Sequence, residues 1–346
     1  MIASIAFRNF KALRQASVEL CPFNLVIGPN GSGKSSLIEA LVRLRTLARL
    51  PLAGETNEPN RSANSPEVSF RFKPPYDRWE AVMSCASDDK CDLLNVFPLS
   101  NGEGDGTWEA LREKLLRVRR FELEHAAIAR PASRKDNHEL KANGGGLAAL
   151  LQRWRDNLPA TFSAWSAQVL RVFPEYDDIL IQDVPEGDVA FSFRITGERT
   201  RIPALDLSQG TLYALVIFAL AADPEPPSII CIEELDRGLH PRILREVQDA
   251  MYSLSHPSSQ GLAREPVQVL ATSHSPYLLD LYRDHIEEII LTEKHGSAAH
   301  FRKLTERRDL GELLEGASLG DLWYTGILGG VPTCDSGGTI TFGERP

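Results

Sequence analysis

The sequence predicts an α/β fold organised around a phosphate-binding loop, on three observations. Gly28-Pro29-Asn30-Gly31-Ser32-Gly33-Lys34-Ser35-Ser36 fits G-x-x-x-x-G-K-[ST], the P-loop pattern. An apolar run from Phe23 to Ile27 precedes it, and Leu37, Ile38, Leu41 and Leu44 follow at helical spacing, so strand, loop and helix come in the required order. Two further apolar runs, Ser228 to Ile232 and Val267 to Thr272, read as parallel strands buried on both faces.

The loop dictates its own chemistry. Its glycines let backbone N–H groups from Asn30 to Ser36 turn inward around phosphate oxygens, and the helix that begins there adds its partial positive charge. Lys34 is expected at the β- and γ-phosphates of ATP, and the Ser35 hydroxyl on Mg²⁺.

Composition narrows the classes. The 346 residues carry 38 basic and 47 acidic side chains, a net charge of −9, which argues against a uniformly basic surface that coats nucleic acid. Five cysteines without C-x-x-C spacing point to buried, unpaired thiols in a reducing cytoplasm. Met1 to Phe10 places Arg8 and Asn9 where a signal peptide needs an apolar run. The longest apolar run, Leu212 to Ala222, falls short of the roughly 20 residues that span a bilayer.

Taken in order, Ile2 to Phe7 and Ala16 to Leu20 alternate as strands around a turn at Asn9-Phe10-Lys11. Leu50 to Pro66 lacks periodicity and reads as a surface loop. Val68 to Phe72 and Trp79 to Met83 alternate as an antiparallel hairpin around Pro74-Pro75-Tyr76-Asp77. Trp108 to His125 reads as one helix, with Leu111, Leu115, Val118 and Phe121 on its apolar side. Arg112, Lys114, Arg117, Arg119 and Arg120 cluster on it, reading first as its solvated face, with a nucleic-acid partner as the alternative that the acidic net charge tempers. A Gly-rich connector, Ala132 to Gly146, leads to helices over Leu147–Asn157 and Pro159–Phe173 and strands over Ile179–Val184 and Val189–Ile195. No stretch sustains the three or four heptads of a coiled coil.

The chemistry-bearing positions lie further on. In Leu207-Ser208-Gln209-Gly210-Thr211, Ser208 caps the apolar helix that follows and Gly210 allows close backbone approach. Glu233, at the end of a buried strand, is placed to hold Mg²⁺ together with Ser35. Glu234 can face the γ-phosphate and take a proton from water. His274 ends the next buried strand beside the same crevice, in reach of phosphate. His256, His285 and His295 have no such placement and read as surface residues.

Together these pieces resemble the ATP-binding-cassette class of P-loop ATPases, in its soluble RecF/SMC-like and OLD-like branch. The carriers are Ile5-Ala6-Phe7-Arg8-Asn9-Phe10-Lys11, the P-loop, the signature-like Leu-Ser-Gln-Gly at 207–210, Glu233-Glu234-Leu235-Asp236-Arg237-Gly238-Leu239-His240-Pro241, and Ala271-Thr272-Ser273-His274-Ser275-Pro276, in the family order. The chain is similar to the bacterial predicted AAA-family ATPases of this branch, down to Gly320-Asp321-Leu322-Trp323-Tyr324-Thr325-Gly326.

The resemblance implies an ABC-ATPase-like head: a mixed or parallel core sheet flanked by helices, an antiparallel β lobe and an inserted helical lobe. Residues 1–49 and 200–310 would form the core, 50–199 the insertion and 311–346 a C-terminal extension. It also implies two heads that sandwich ATP, with Ser208, Gln209 and Gly210 acting on the partner's nucleotide. The expected function is an ATP-hydrolysing, dimerising switch for DNA maintenance or anti-phage defence, working with a separate effector. A nucleotide-gated binding module with little hydrolysis is the alternative. A transporter subunit is disfavoured by Leu-Ser-Gln-Gly-Thr at the signature. Three departures stand out: Glu233 replaces the commoner Asp, Leu235 replaces a usual proline, and no glutamine is assignable as the link between lobes among Gln152, Gln168 and Gln182.

Overall fold

The computed structural model describes residues 1–50, 65–135, 139–296 and 298–329. Most of the expected 50–66 loop, and the tail from 331 to 346, lie outside the described residues. Strands β1 (Ile2–Phe10) and β2 (Leu13–Glu19) pair antiparallel around the expected turn, where Asn9 and Lys11 both take positive φ. β3 (Phe23–Ile27) runs into the P-loop and α1 (Lys34–Ala48). The hairpin of β4 (Glu67–Phe72) and β5 (Trp79–Ser87) is joined by β6 (Lys90–Pro98), a strand the sequence did not announce. These strands form one antiparallel sheet in the order β2-β1-β4-β5-β6. Against the expectation of unpaired thiols, Cys85 and Cys91 are disulfide-bonded, because the β5–β6 register sets them directly opposite.

The single helix expected from Trp108 to His125 is a correction. α2 (Trp108–Leu116) stops, β7 (Val118–Phe121) follows as a strand, and α3 (His125–Ala129) is separate. Val118 and Phe121 are buried in either reading, so the apolar spacing alone does not decide between helix and strand. Pairing does: β7 lies parallel to a core strand, Ile229 to Ile232, and satisfies backbone groups that would otherwise form an open edge. Arg119 and Arg120 therefore belong to the core sheet rather than to a solvated helix.

Beyond it come β8 (Ala132–Ser133), α4 (Leu147–Asn157) and α5 (Pro159–Val172). β9 (Tyr176–Val184), β10 (Asp188–Ile195) and β11 (Arg201–Pro203) build a small antiparallel sheet with β8. α6 (Gln209–Ala222), β12 (Ile229–Ile232), α7 (Pro241–Ser255), β13 (Gln268–Ser273) and α8 (Pro276–Leu281) follow. β14 (Ile289–His295), β15 (Ala298–Lys303), α9 (Leu310–Gly316) and α10 (Leu319–Tyr324) complete the described chain.

The core sheet runs β15-β14-β3-β13-β12-β7, parallel except for β15. Successive side chains of its central strands enter different cores. Val26, Cys231 and Leu270 pack with α1 against the antiparallel sheet. Leu25, Ile27, Ile230, Ile232, Val269 and Ala271 pack against the helices of the opposite face. Both faces are covered, which is why these strands read as continuous apolar runs. α6 lies at the centre of the helical layer, with eleven of its fourteen residues buried. α5 docks on it through Trp165, whose ring N–H donates to Leu215 O at 3.4 Å. No helix among the described residues is long and apolar enough to cross a membrane.

Candidate nucleotide-binding and hydrolysis site

Because β3, β12 and β13 are parallel neighbours, their carboxyl ends open on one edge of the sheet, where ligands of open α/β sheets bind. A cavity of about 250 Å³ lies there, lined by Lys11, Ala12, Asn30, Gly31, Gly33, Lys34, Ser35, Ser36, Glu233, Glu234, Thr272 and His274. A larger cleft of about 510 Å³ is lined by Met1, Ile2, Ser228 and Val267, at the opposite ends of the strands and far from the P-loop chemistry.

The loop itself is a cradle for an anion. Gly33 sits at the N-cap of α1 with φ 97°, a left-handed conformation that side chains disfavour. No side chain caps this helix, and its first turn holds no acid, so its leading N–H groups remain available. Lys34 Nζ meanwhile donates to Gly28 O at 2.8 Å and Pro29 O at 2.9 Å. Burial lowers the Lys34 pKa to about 8, with Glu234 and Glu233 opposing the shift.

That value gives a signed prediction. Bound phosphate favours the charged lysine, so the complex holds the proton to higher pH than the free protein does. ATP affinity is therefore expected to be level below about pH 8, then to fall by up to about tenfold per pH unit above it. Equilibrium titration with a fluorescent nucleotide from neutral to alkaline pH checks this, and Lys34→Arg should flatten the profile.

Ser32 is placed differently from the other loop residues. Its side chain is buried and meets the Thr292 hydroxyl on β14, turned away from the cavity, so only its backbone is left to serve a ligand. Ser35 Oγ donates to Glu233 Oε2 at 3.0 Å. Glu233 Oε1 is buried without a hydrogen-bond partner, although Arg120 Nη2 stands 2.7 Å away as an ion pair. A carboxylate whose Oε2 already meets a serine hydroxyl fits a hard divalent cation, and Mg²⁺ typically takes one or two such protein ligands, filling the rest with phosphate and water. Glu234 has φ 51°, a left-handed conformation for a residue that carries a long side chain, and its N–H donates to Thr272 Oγ1 at 2.9 Å. Its carboxylate is half exposed, with Arg237 Nε no closer than 3.6 Å. Burial, reinforced by Lys34, lowers the His274 pKa below its ordinary value despite Asp236 and Glu234, which favours a neutral imidazole at pH 7.

Ser208, Gln209 and Gly210 do not line this cavity. Ser208 Oγ accepts the Thr211 N–H at 3.1 Å and caps α6. Gly210 packs against the Glu233–Pro241 segment so closely that a Cβ there would lie 2.3 Å from Gly238 O. His256, expected at the surface, is half-buried instead, stacked on Tyr252 and 3.3 Å from the buried Glu288. The sequence assigns no site role to Thr272 or Thr292, and it places Arg120 on a solvated helix face rather than beside Glu233. Thr272 had a signal in its place at a strand end beside His274. Arg120 had none, since its position depends on the β7–β12 pairing.

A P-loop after one parallel strand, an acidic pair at the end of another parallel strand of the same sheet and a Ser208-capped buried helix define a P-loop nucleotide-binding fold. The family profile described as "AAA domain, putative AbiEii toxin, Type IV TA system" matches residues 23–280, and the chain belongs to that family. No curated protein matches it. Among solved structures, the SMC head bound to the C-winged helix domain of ScpA is 16% identical, with a TM-score of 0.54, over 87% of this chain and 96% of that one. An SMC head with an extended coiled coil, bound to the C-terminal domain of ScpA derived from Pyrococcus furiosus, is 13% identical, with a TM-score of 0.53, over 91% of this chain and 99% of that one. At such identities the likeness is one of fold.

Proposed function

We propose that this chain is an ATP-hydrolysing switch: ATP closes two heads face to face, and hydrolysis opens them. One observation carries the reading. A single cavity gathers Lys34, Ser35, Glu233, Glu234 and His274, while the signature residues of the same chain stand outside it. A second copy would bring its Ser208, Gln209 and Gly210 to complete the site.

In this reading Asn30 to Ser36 and Lys34 hold the phosphates, and Ser35 and Glu233 hold Mg²⁺. When bound, Mg²⁺ offsets charge on the phosphate oxygens and orients them. Glu234 takes the proton of the attacking water, and neutral His274 donates a hydrogen bond to the γ-phosphate. Residues 1–49 and 200–310 serve as the nucleotide-binding core, 50–199 as the inserted lobes with β7 returned to the core sheet, and 311–346 as a C-terminal extension. The ScpA-bound state of the SMC heads supports a separate effector protein here too. DNA maintenance or anti-phage defence is the setting we favour for such a switch.

Ser208→Arg tests the trans arrangement. It is expected to leave ATP affinity of the isolated subunit unchanged, since Ser208 does not line its own cavity. Dimerisation and hydrolysis should both be lost, because a long cation would enter the partner's phosphate site. Normal phosphate release from this variant would refute the arrangement.

A further inference from the structure

Two acidic residues share one arginine at the edge of the core sheet. Arg120 and Glu122 lie two apart along extended chain and so point to the same side. Between them, Phe121 O accepts the Glu233 N–H at 3.1 Å, which fixes Glu233 beside both. Arg120 Nη2 stands 2.7 Å from Glu233 Oε1 and 2.8 Å from Glu122 Oε2. The two contacts differ in kind. That to Glu122 is a hydrogen bond, whereas Glu233 Oε1 and Arg120 Nε are buried without hydrogen-bond partners. Glu233 is thus shared, its Oε2 taking the Ser35 hydroxyl and its Oε1 lying against Arg120.

The residues after Arg120 are tied to other parts of the molecule. Glu122 N–H donates to Ala142 O at 2.9 Å, on the connector to α4. Leu123 O accepts the Tyr213 hydroxyl at 2.6 Å, on the helix that begins with Ser208-Gln209-Gly210.

We propose that Arg120 is a positioning residue of the metal site: it neutralises Glu233 while no divalent ion is present and is left to Glu122 when Mg²⁺ arrives with the nucleotide. The proposal rests on the assignment of Glu233 as a Mg²⁺ ligand. Without an ion, Glu233 and Glu234 both face an incoming triphosphate, and Arg120 cancels one of these repulsions. With an ion, Glu233 Oε1 turns to the metal, and Arg120 keeps its hydrogen bond to Glu122. The exchange shifts a charge at the root of the segment bonded to α6, so metal loading is felt at the signature helix.

The test is equilibrium titration of the full chain with a fluorescent non-hydrolysable ATP analogue, in EDTA and in saturating Mg²⁺. Arg120→Ala should weaken binding about tenfold in EDTA through the uncancelled carboxylate, and by less than about threefold in Mg²⁺. Arg120→Lys, which keeps the charge, should recover most of the EDTA loss, and so separates the proposal from a folding defect. Glu122→Gln should raise the half-saturating Mg²⁺ concentration about threefold, since Arg120 then lacks its second carboxylate. Equal weakening of Arg120→Ala in both conditions, no change in either, no recovery with lysine, or an unmoved Mg²⁺ midpoint in Glu122→Gln would overturn it. Glu233→Gln tests the underlying assignment separately: it should abolish the benefit of Mg²⁺. A Mg²⁺ benefit equal to wild type in that variant would remove Glu233 from the metal site whatever Arg120 does.

Discussion

Glu234→Gln is expected to slow ATP hydrolysis by about 10²–10⁴-fold while Mg·ATP affinity stays within about threefold of wild type. Glutamine keeps the length and shape of the side chain and tolerates the same left-handed backbone, so the Glu234 N–H bond to Thr272 survives. What it loses is the capacity to accept a proton. Binding persists because Lys34, Ser35 and Glu233 are untouched. The backbone strain at Glu234, on the order of 1–2 kcal/mol for a residue other than glycine, fits a side chain held at one position at the cavity mouth. Single-turnover phosphate release under saturating Mg·ATP measures the chemical step directly. A wild-type rate would move the base elsewhere, with Glu233 the first candidate.

Lys34→Ala is expected to weaken ATP binding by at least about 100-fold, the loss of two or more hydrogen bonds from a charged donor to phosphate. The lysine now tethers Gly28 O and Pro29 O, and these carbonyls would also be released. Among the described residues two other lysines stand near the loop: Lys11 lines the cavity, with its ammonium engaged by Glu39 on α1, and Lys294 Nζ approaches Gly31 without lining the cavity. Undiminished affinity in an equilibrium titration would refute the phosphate assignment of the P-loop.

Much of the fold was legible because its signals are local. The P-loop, β12, β13, α4 and the capped start of α6 each follow from a short stretch whose periodicity or end residues leave one solution. The misread parts depend on pairing across long sequence distances. β7 alternates between helix and strand readings until β12 supplies its ladder. β14 brings Thr292 against Ser32 only through its pairing with β3, 260 residues from that serine, so the inward turn of Ser32 could not be read from the loop. The Cys85–Cys91 disulfide follows from the β5–β6 register rather than from cysteine spacing. At the site, sequence order placed Lys34, Ser35, Glu233, Glu234 and His274 at strand ends, and parallel pairing brings those ends together. Arg120 had to wait for the edge strand.

The central claim, a switch closed by ATP and opened by hydrolysis, is tested most directly by light scattering of the Glu234→Gln chain in Mg-ATP. A binding-competent variant that cannot complete hydrolysis accumulates in the closed state. A long-lived species of twice the chain mass is expected for Glu234→Gln, a transient one for wild type, and a monomer for Lys34→Ala. If closure requires a different subunit, the trapped complex should form only when that subunit is added. A Glu234→Gln chain that binds Mg-ATP and yet stays monomeric under both conditions would contradict the claim.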